Sequence, residues 1–335
     1  MPTFDTPAPI AVSLQLSAGV LRLTAGTGTE TVVEVTPSNG LSQNDRSAAE
    51  QTRVEYGQGR LLIRAPRRRS LFGSGGSVDV SVELPAGSSL TGDAVMADMY
   101  GEGELGECEF KTGHGRIHLE RAGRLQLNSG FGDVTVGSAV GEADIRVASG
   151  DIRIGRIDGA LTLKNSSGDS DIEEVTGRLR ATVNRGDISI GRVHDDVTAR
   201  AVTGDIRVGE VTRGRVELRA AAGELEIGVR KGSAAWLDVH TKVGYVRNSL
   251  GASDAPELPE EAVEIHAVTS RGDVVIRRGG GGRRARAAQG AGGPPPPRAP
   301  GRDPAGARGG QDINRGPGAG YGHRRGGAGR RPGED

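Results

Sequence analysis

Between Val134 and Ala220 the apolar residues fall on alternate positions in short runs, and the runs come back in step. Two residues after successive glycines stand Val134, Ile152, Ile188 and Ile206, and four residues after them stand Val136, Ile154, Ile172, Ile190 and Val208. Seven residues after come Ile157, Val175, Val193 and Val211. A second alternating set then follows in each copy: Ala143, Ile145 and Val147; Leu161 and Leu163; Leu179, Ala181 and Val183; Val197, Ala199 and Ala201. Alternation with period two is the mark of a strand with one face inward and one outward. Each copy therefore predicts turn, short strand, turn, short strand. The punctuation is a Gly-Asp pair, at Gly132-Asp133, Gly150-Asp151, Gly168-Asp169, Gly186-Asp187 and Gly204-Asp205, always 18 residues apart. Looser copies extend the series to Ala97-Asp98 and Gly115-Arg116 upstream, and to Gly223-Glu224, Gly244-Tyr245 and Gly272-Asp273 downstream, about ten in all. The copy beginning at Gly204 is one residue longer, and its second set (Val216, Leu218, Ala220) slips by one, which places the insertion in a turn.

One copy has too few side chains to close a core. Stacked at about 4.8 Å, every strand pairs with its equivalents above and below, and the inward columns become continuous. Burial then contributes roughly 1.5–3 kcal/mol per Val, Ile or Leu. The reading is an all-β fold, a parallel β-solenoid (β-helix) of about ten coils, right-handed by the usual crossover rule and roughly 45 Å long. The turn Gly supplies positive φ, and the Asp after it bonds nearby backbone N–H groups.

Three segments follow. Residues 1–95 lack the repeat but are rich in strand patterns (IAVSLQL, VLRLTAG, ETVVEVT, RLLIRAP, SVDVSVELP), and are read as a β-layer capping the first coil. Residues 67–77, with Arg67-Arg68-Arg69, read as a loop. Residues 96–278 are the solenoid, whose later coils lengthen around Trp236, Tyr245 and the acidic stretch 252–261, the irregularity expected of capping repeats. Residues 279–335, made of Gly, Pro and Arg, form a tail with too little apolar surface to fold.

Composition sharpens this picture. No segment longer than about ten residues carries a helical apolar period. The formal charge of zero hides an asymmetry, since the tail holds eleven Arg against four acidic residues. A single cysteine, Cys108, rules out an intrachain disulfide and a multi-cysteine metal site, and it falls in an inward column. The first residues lack the basic and apolar regions of a secretory signal, and no apolar run is long enough to span a bilayer, so the default location is the cytoplasm.

The lead-in SVDVSVELPAGSSLTGDAV, followed by SGDIRIGRIDG and TGDIRVGEV, resembles a bacterial β-strand-repeat family labelled "putative adhesin", a domain of unknown function also called the toastrack domain. The resemblance covers roughly residues 4–278. It implies a family with no agreed catalytic residues, so none is carried over. Some members look associated with envelope-stress systems and carry membrane anchors; this chain shows no anchor.

Candidate chemistry is sparse. The column Asp133, Asp151, Asp169, Asp187 and Asp205 offers stacked carboxylates to Ca²⁺, but at one acidic residue per coil it reads first as turn capping. His114 and His118, four apart on one strand, lie about 13 Å apart, too far to share a metal. No GxSxG, P-loop or HExxH occurs. No catalytic residue, cofactor or metal ligand is assigned. Two outward columns stand out: Arg153, Asp171, Ser189, Arg207 and Glu226, which mixes signs, and Lys111, Arg146, Lys164, Thr182, Arg200 and Arg219, a broken basic stripe. In the tail Arg283, Arg284, Arg286, Arg324, Arg325, Arg330 and Arg331 are candidate polyanion contacts, through charge and counterion release. The triplets Arg185-Gly186-Asp187 and Arg271-Gly272-Asp273 spell an adhesion motif, yet the slot before Gly is Ser149, Ser167, Arg185, Thr203 and Ala222 in turn, so the triplet is a by-product of the repeat. The function read from the residues is a non-enzymatic scaffold that binds a protein partner. The alternative is RNA or anionic-lipid binding through the tail, and a carbohydrate-active β-helix enzyme comes third.

Overall fold

The computed structural model describes residues 1–66, 76–250 and 262–280. Residues 281–335 with the tail arginines, Arg67-Arg68-Arg69 and the acidic stretch 252–261 lie outside the described residues. In chain order the first elements are β1 (Thr3–Asp5), β2 (Ala11–Gly26), β3 (Glu30–Pro37), α1 (Gln43–Gln51), β4 (Arg53–Gly57), β5 (Arg60–Arg64), β6 (Val78–Pro85) and β7 (Ser89–Glu104). From there each rung is a pair of short strands. They are β8 and β9 (Cys108–His114, Ile117–Ala122), β10 and β11 (Leu125–Phe131, Val134–Val140), and β12 and β13 (Ala143–Ser149, Ile152–Asp158). Next come β14 and β15 (Leu161–Ser167, Ser170–Val175), β16 and β17 (Leu179–Arg185, Ile188–Val193), and β18 and β19 (Val197–Thr203, Ile206–Val211). The last are β20 and β21 (Gly214–Ala222, Leu225–Val229), β22 and β23 (Ala234–Val243, Val246–Asn248), and β24 and β25 (Ala262–Arg271, Val274–Arg278).

The rungs stack in parallel, as the alternation predicts. Leu127 lies over Ile145, Ile145 over Leu163, Leu163 over Ala181 and Ala181 over Ala199, each one repeat further along. Val193 still faces Val211, whereas Val197 faces Val216, so the extra residue of the long copy sits between Val211 and Val216, where β19 gives way to β20.

The inward columns make one continuous core. Size is traded between neighbours within it: Gly92 lies between Leu14 and Phe110, and a Cβ on Gly92 would come within 2.9 Å of the Phe110 ring. Cys108 is fully buried, and burial pushes its thiol pKa up to about 12, so it behaves as a small core residue. The column Val134, Ile152, Ser170, Ile188 and Ile206 is aliphatic except for Ser170, which is buried with no hydrogen-bond partner for its hydroxyl. An orphaned buried hydroxyl carries its full desolvation cost. Ser170→Val is therefore expected to stabilise the fold by about 1–2 kcal/mol, read as a higher urea midpoint with an unchanged m-value.

The two ends depart from chain order. At the amino end β2 is itself a rung: it runs parallel to β7 on one side and to β5 and β6 on the other. Parallel stacking thus extends upstream of residue 96. Outside it lies an antiparallel layer in which β3 pairs with β6, β4 with β5, and the three-residue β1 with β3. Helix α1 sits against this layer. It is absent from the apolar pattern, but Ser42 and Asp45 are a legible start signal: the Ser42 hydroxyl accepts from the Asp45 N–H. At the carboxyl end β24 pairs with β20 and β25 with β21, while β22 and β23 lie beyond them against β24 and β25. The sequential order implied by the repeat is corrected here. The cause is visible in the inward positions: β24 and β25 present Val263, Ile265, Ala267, Thr269, Val274 and Ile276, whereas β22 and β23 offer Ala235 and Asn248 at the places of Val263 and Ile276. The more apolar rung takes the covered place.

Candidate functional site

The Gly-Asp turns form a ladder along one edge of the stack. The Asp133 Oδ1 accepts from the Asp151 N–H at 2.9 Å, Asp151 from Asp169 at 3.0 Å, Asp169 from Asp187 at 2.9 Å, and Asp187 from Asp205 at 2.8 Å. Asp98 likewise accepts from Arg116, Asp205 from Glu224, and Asp273 from Tyr245. The carboxylate thus bonds the amide of the next rung rather than one in its own turn, which is what the sequence led one to expect. One oxygen of each ladder carboxylate is held by backbone. The other meets arginine at several rungs, as in Asp151 with Arg153 and Asp205 with Arg207, so like charges stacked a strand spacing apart are offset. Both Arg-Gly-Asp triplets lie in this ladder. Among the described residues no group of three or more His, Cys, Asp or Glu is placed to hold a metal ion.

The mixed-sign column is laced with ion pairs, Arg207 reaching Asp187 and Glu226, and Arg277 reaching Glu226. Desolvation raises the pKa of Asp171 within it, against the pull of Arg153. The basic stripe is different. Lys111, Arg146, Lys164, Thr182, Arg200 and Arg219 do lie in register on successive rungs, with Asn128 between the first two. Arg146 is tied to Asp144, and Arg200 and Arg219 share Glu217. Lys111 and Lys164 flank an open groove of about 800 Å³ whose floor includes Gly113, Gly130 and Ala148. The floor is low because Gly130 has no side chain; a Cβ there would come 2.4 Å from the Gly113 carbonyl oxygen.

His114 and His118 fall on β8 and β9, either side of the turn at Gly115, so the single strand expected for them is corrected; His114 instead stacks on Phe131 at 4.8 Å. Among the described residues no helix is long and apolar enough to cross a membrane.

The carboxyl end of the stack was not legible as a site. Among the described residues β22 has a strand partner on one side only, and Trp236 and Tyr245 are each 73 % exposed, with Leu237, Val243 and Val246 also open.

A family model described as Toastrack DUF4097 matches residues 20–235. The chain belongs to the toastrack family. Two solved structures are similar to it. One is titled a "putative cell adhesion protein", from Clostridium sporogenes ATCC 15579; it is 11 % identical, covers 83 % of this chain and 98 % of its own, and has a TM-score of 0.23. The other, a "putative adhesin" from Bacteroides fragilis NCTC 9343, is 11 % identical over 83 % of this chain and 95 % of its own, with a TM-score of 0.33. None of the curated proteins compared matches the chain. The toastrack match ends at residue 235, within β22, so most of the outermost rung lies beyond it.

That outermost rung is fastened to this toastrack stack by a histidine clamp. The His266 ring, on β24, has Nε2 2.7 Å from Glu264 and Nδ1 3.0 Å from Asp238 on β22. Both nitrogens face carboxylate oxygens, so both must donate, and the ring is held as imidazolium. Hydrogen bonds from Glu264 and then Asp238 raise the His266 pKa. Glu264, held first by Arg215 and then by His266, drops to about 2, and Asp238 is lowered by His266 and then by His240. A raised histidine pKa stabilises fully below the ordinary imidazole pKa, and that contribution is lost as pH rises through the raised value. The lowered carboxylates act above their ordinary pKa and fade only in acid. Hydrogen-exchange protection of the β22 amides is therefore expected to fall as pH rises above the ordinary imidazole value, and His266→Gln should flatten that response.

Proposed function

We propose that the chain is a non-enzymatic scaffold whose partner is a protein with an extended acidic segment, laid along the groove beside Lys111 and Lys164. The carrying observation is that these two lysines flank a groove open along several rungs, with Asp93 opposite Lys111 as the carboxylate that lines it, whereas the stripe's Arg146 and Arg200 are held in ion pairs. The rung spacing of about 4.8 Å puts cationic positions at regular steps that an extended, acid-rich strand can follow. A catalytic reading needs a cleft built by long loops and clustered carboxylates, whereas the described rungs are joined by short turns.

A labelled peptide rich in Glu and Asp is expected to bind the full chain in fluorescence anisotropy, weakening with salt. Binding should drop at least tenfold in Lys111→Glu/Lys164→Glu. The second reading, polyanion binding through the tail, rests on the eleven Arg among residues 279–335. RNA and anionic vesicles titrated against the full chain and residues 1–278 separate the two. Acidic-peptide binding that ignores the lysine pair sinks the first reading, and RNA or vesicle binding unchanged by truncation sinks the second.

A further inference from the structure

The two ends of the stack are finished differently. At the amino end the outer layer is antiparallel and tapers to the three-residue β1 and the five-residue β4, the short edges by which sheets avoid further pairing. The carboxyl end stops on β22, a ten-residue strand with one described partner and with Trp236 and Leu237 exposed on it. A long apolar edge of this kind invites another strand.

The outward residues of β22 say which strand. They read Trp236, Asp238, His240 and Lys242, with an acid and a base placed symmetrically about His240. We infer that β22 pairs antiparallel with β22 of a second copy, across a two-fold axis at His240. In that register Asp238 faces Lys242 of the other copy twice over, and Leu237 faces Val243. Because the axis preserves the inner and outer faces of the sheet, the core of one stack continues into the core of the other. Among the described residues the amino end presents no comparable edge, so pairing closes as a two-fold dimer and does not propagate into a fibre. Trp236, Leu237 and Tyr245 then lie in or beside the interface, where aromatic side chains are enriched.

The test uses the full chain and its mass in solution by light scattering or sedimentation. Wild type is expected at twice 34.6 kDa, dissociating on dilution. Lys242→Asp places Asp opposite Asp and should weaken the dimer at least tenfold; Asp238→Lys places Lys opposite Lys to the same effect, beyond any loss from releasing His266, which Asp238→Asn measures by itself. Mixed one to one, the two variants should form a heterodimer, and the double variant Asp238→Lys/Lys242→Asp should recover the homodimer. Recovery on mixing also shows that each variant is folded, which a melting curve confirms independently. A monomeric wild type at every concentration overturns the inference, whether the edge is bare or covered by residues 251–261 of the same chain. A dimer indifferent to both charge changes overturns the assigned strand and register.

Discussion

Gly186→Ala is expected to destabilise the protein by roughly 3–5 kcal/mol, combining backbone strain with a steric clash. Gly186 has φ of +133°, a region that costs an L-residue, and its ideal Cβ would lie 2.1 Å from the Gly168 carbonyl oxygen. The second number is the more telling one. The turn could twist to accommodate a methyl group if it stood alone, but it is pressed on the turn of the neighbouring rung, whose own Gly168 meets Gly150 in the same way. The neighbouring Arg185 is exposed and supplies the control: Arg185→Ala should shift the urea midpoint by no more than about 0.5 kcal/mol equivalent. A large loss at 186 with none at 185 shows that the triplet belongs to the turn. Equal losses at both would contradict that assignment.

Phe110→Ala should cost about 3–5 kcal/mol, the range for emptying an aromatic site in a packed interior. Phe110 is fully buried, and its ring occupies the space left by the missing side chain of Gly92 on the adjoining rung. Gly92→Ala alone forces the ring aside and is also destabilising. Combined with Phe110→Leu, the same methyl group has room, so the double variant should lose less than the sum of the two single changes. A double-mutant cycle read by urea denaturation checks this, and strict additivity would refute the coupling.

The regular rungs were legible because each carries the same two signals, alternation and Gly-Asp, and each meets a copy of itself. Cys108 in the core and the register of the basic stripe followed directly. Three features were hidden for a physical reason. Alternation says which side chains point inward, but not which rung lies next to which; that Ile265 sits between Val216 and Leu237 depends on small differences in inward polarity such as Asn248 against Ile276. The Asp ladder bonds amides a full repeat away, and a local turn motif carries no sign of that distance. The groove depends on side chains that are missing, at Gly113 and Gly130, and on which arginines find a carboxylate.

The inversion of order at both ends bears on how the chain is assembled and taken apart. A linear stack can grow or fray one rung at a time from either extremity. Here the first long strand, β2, and the last two, β24 and β25, are each held between two others, so the outermost rung at the carboxyl end is not the last one in chain order. Closing the carboxyl end sets β24 between β20 and β22 and joins Arg215 to Glu264 across 49 residues, a non-local step in an otherwise local process. Once closed, β24 and β25 are released only after β22 and β23 have left them, or by withdrawing a strand hydrogen-bonded along both edges.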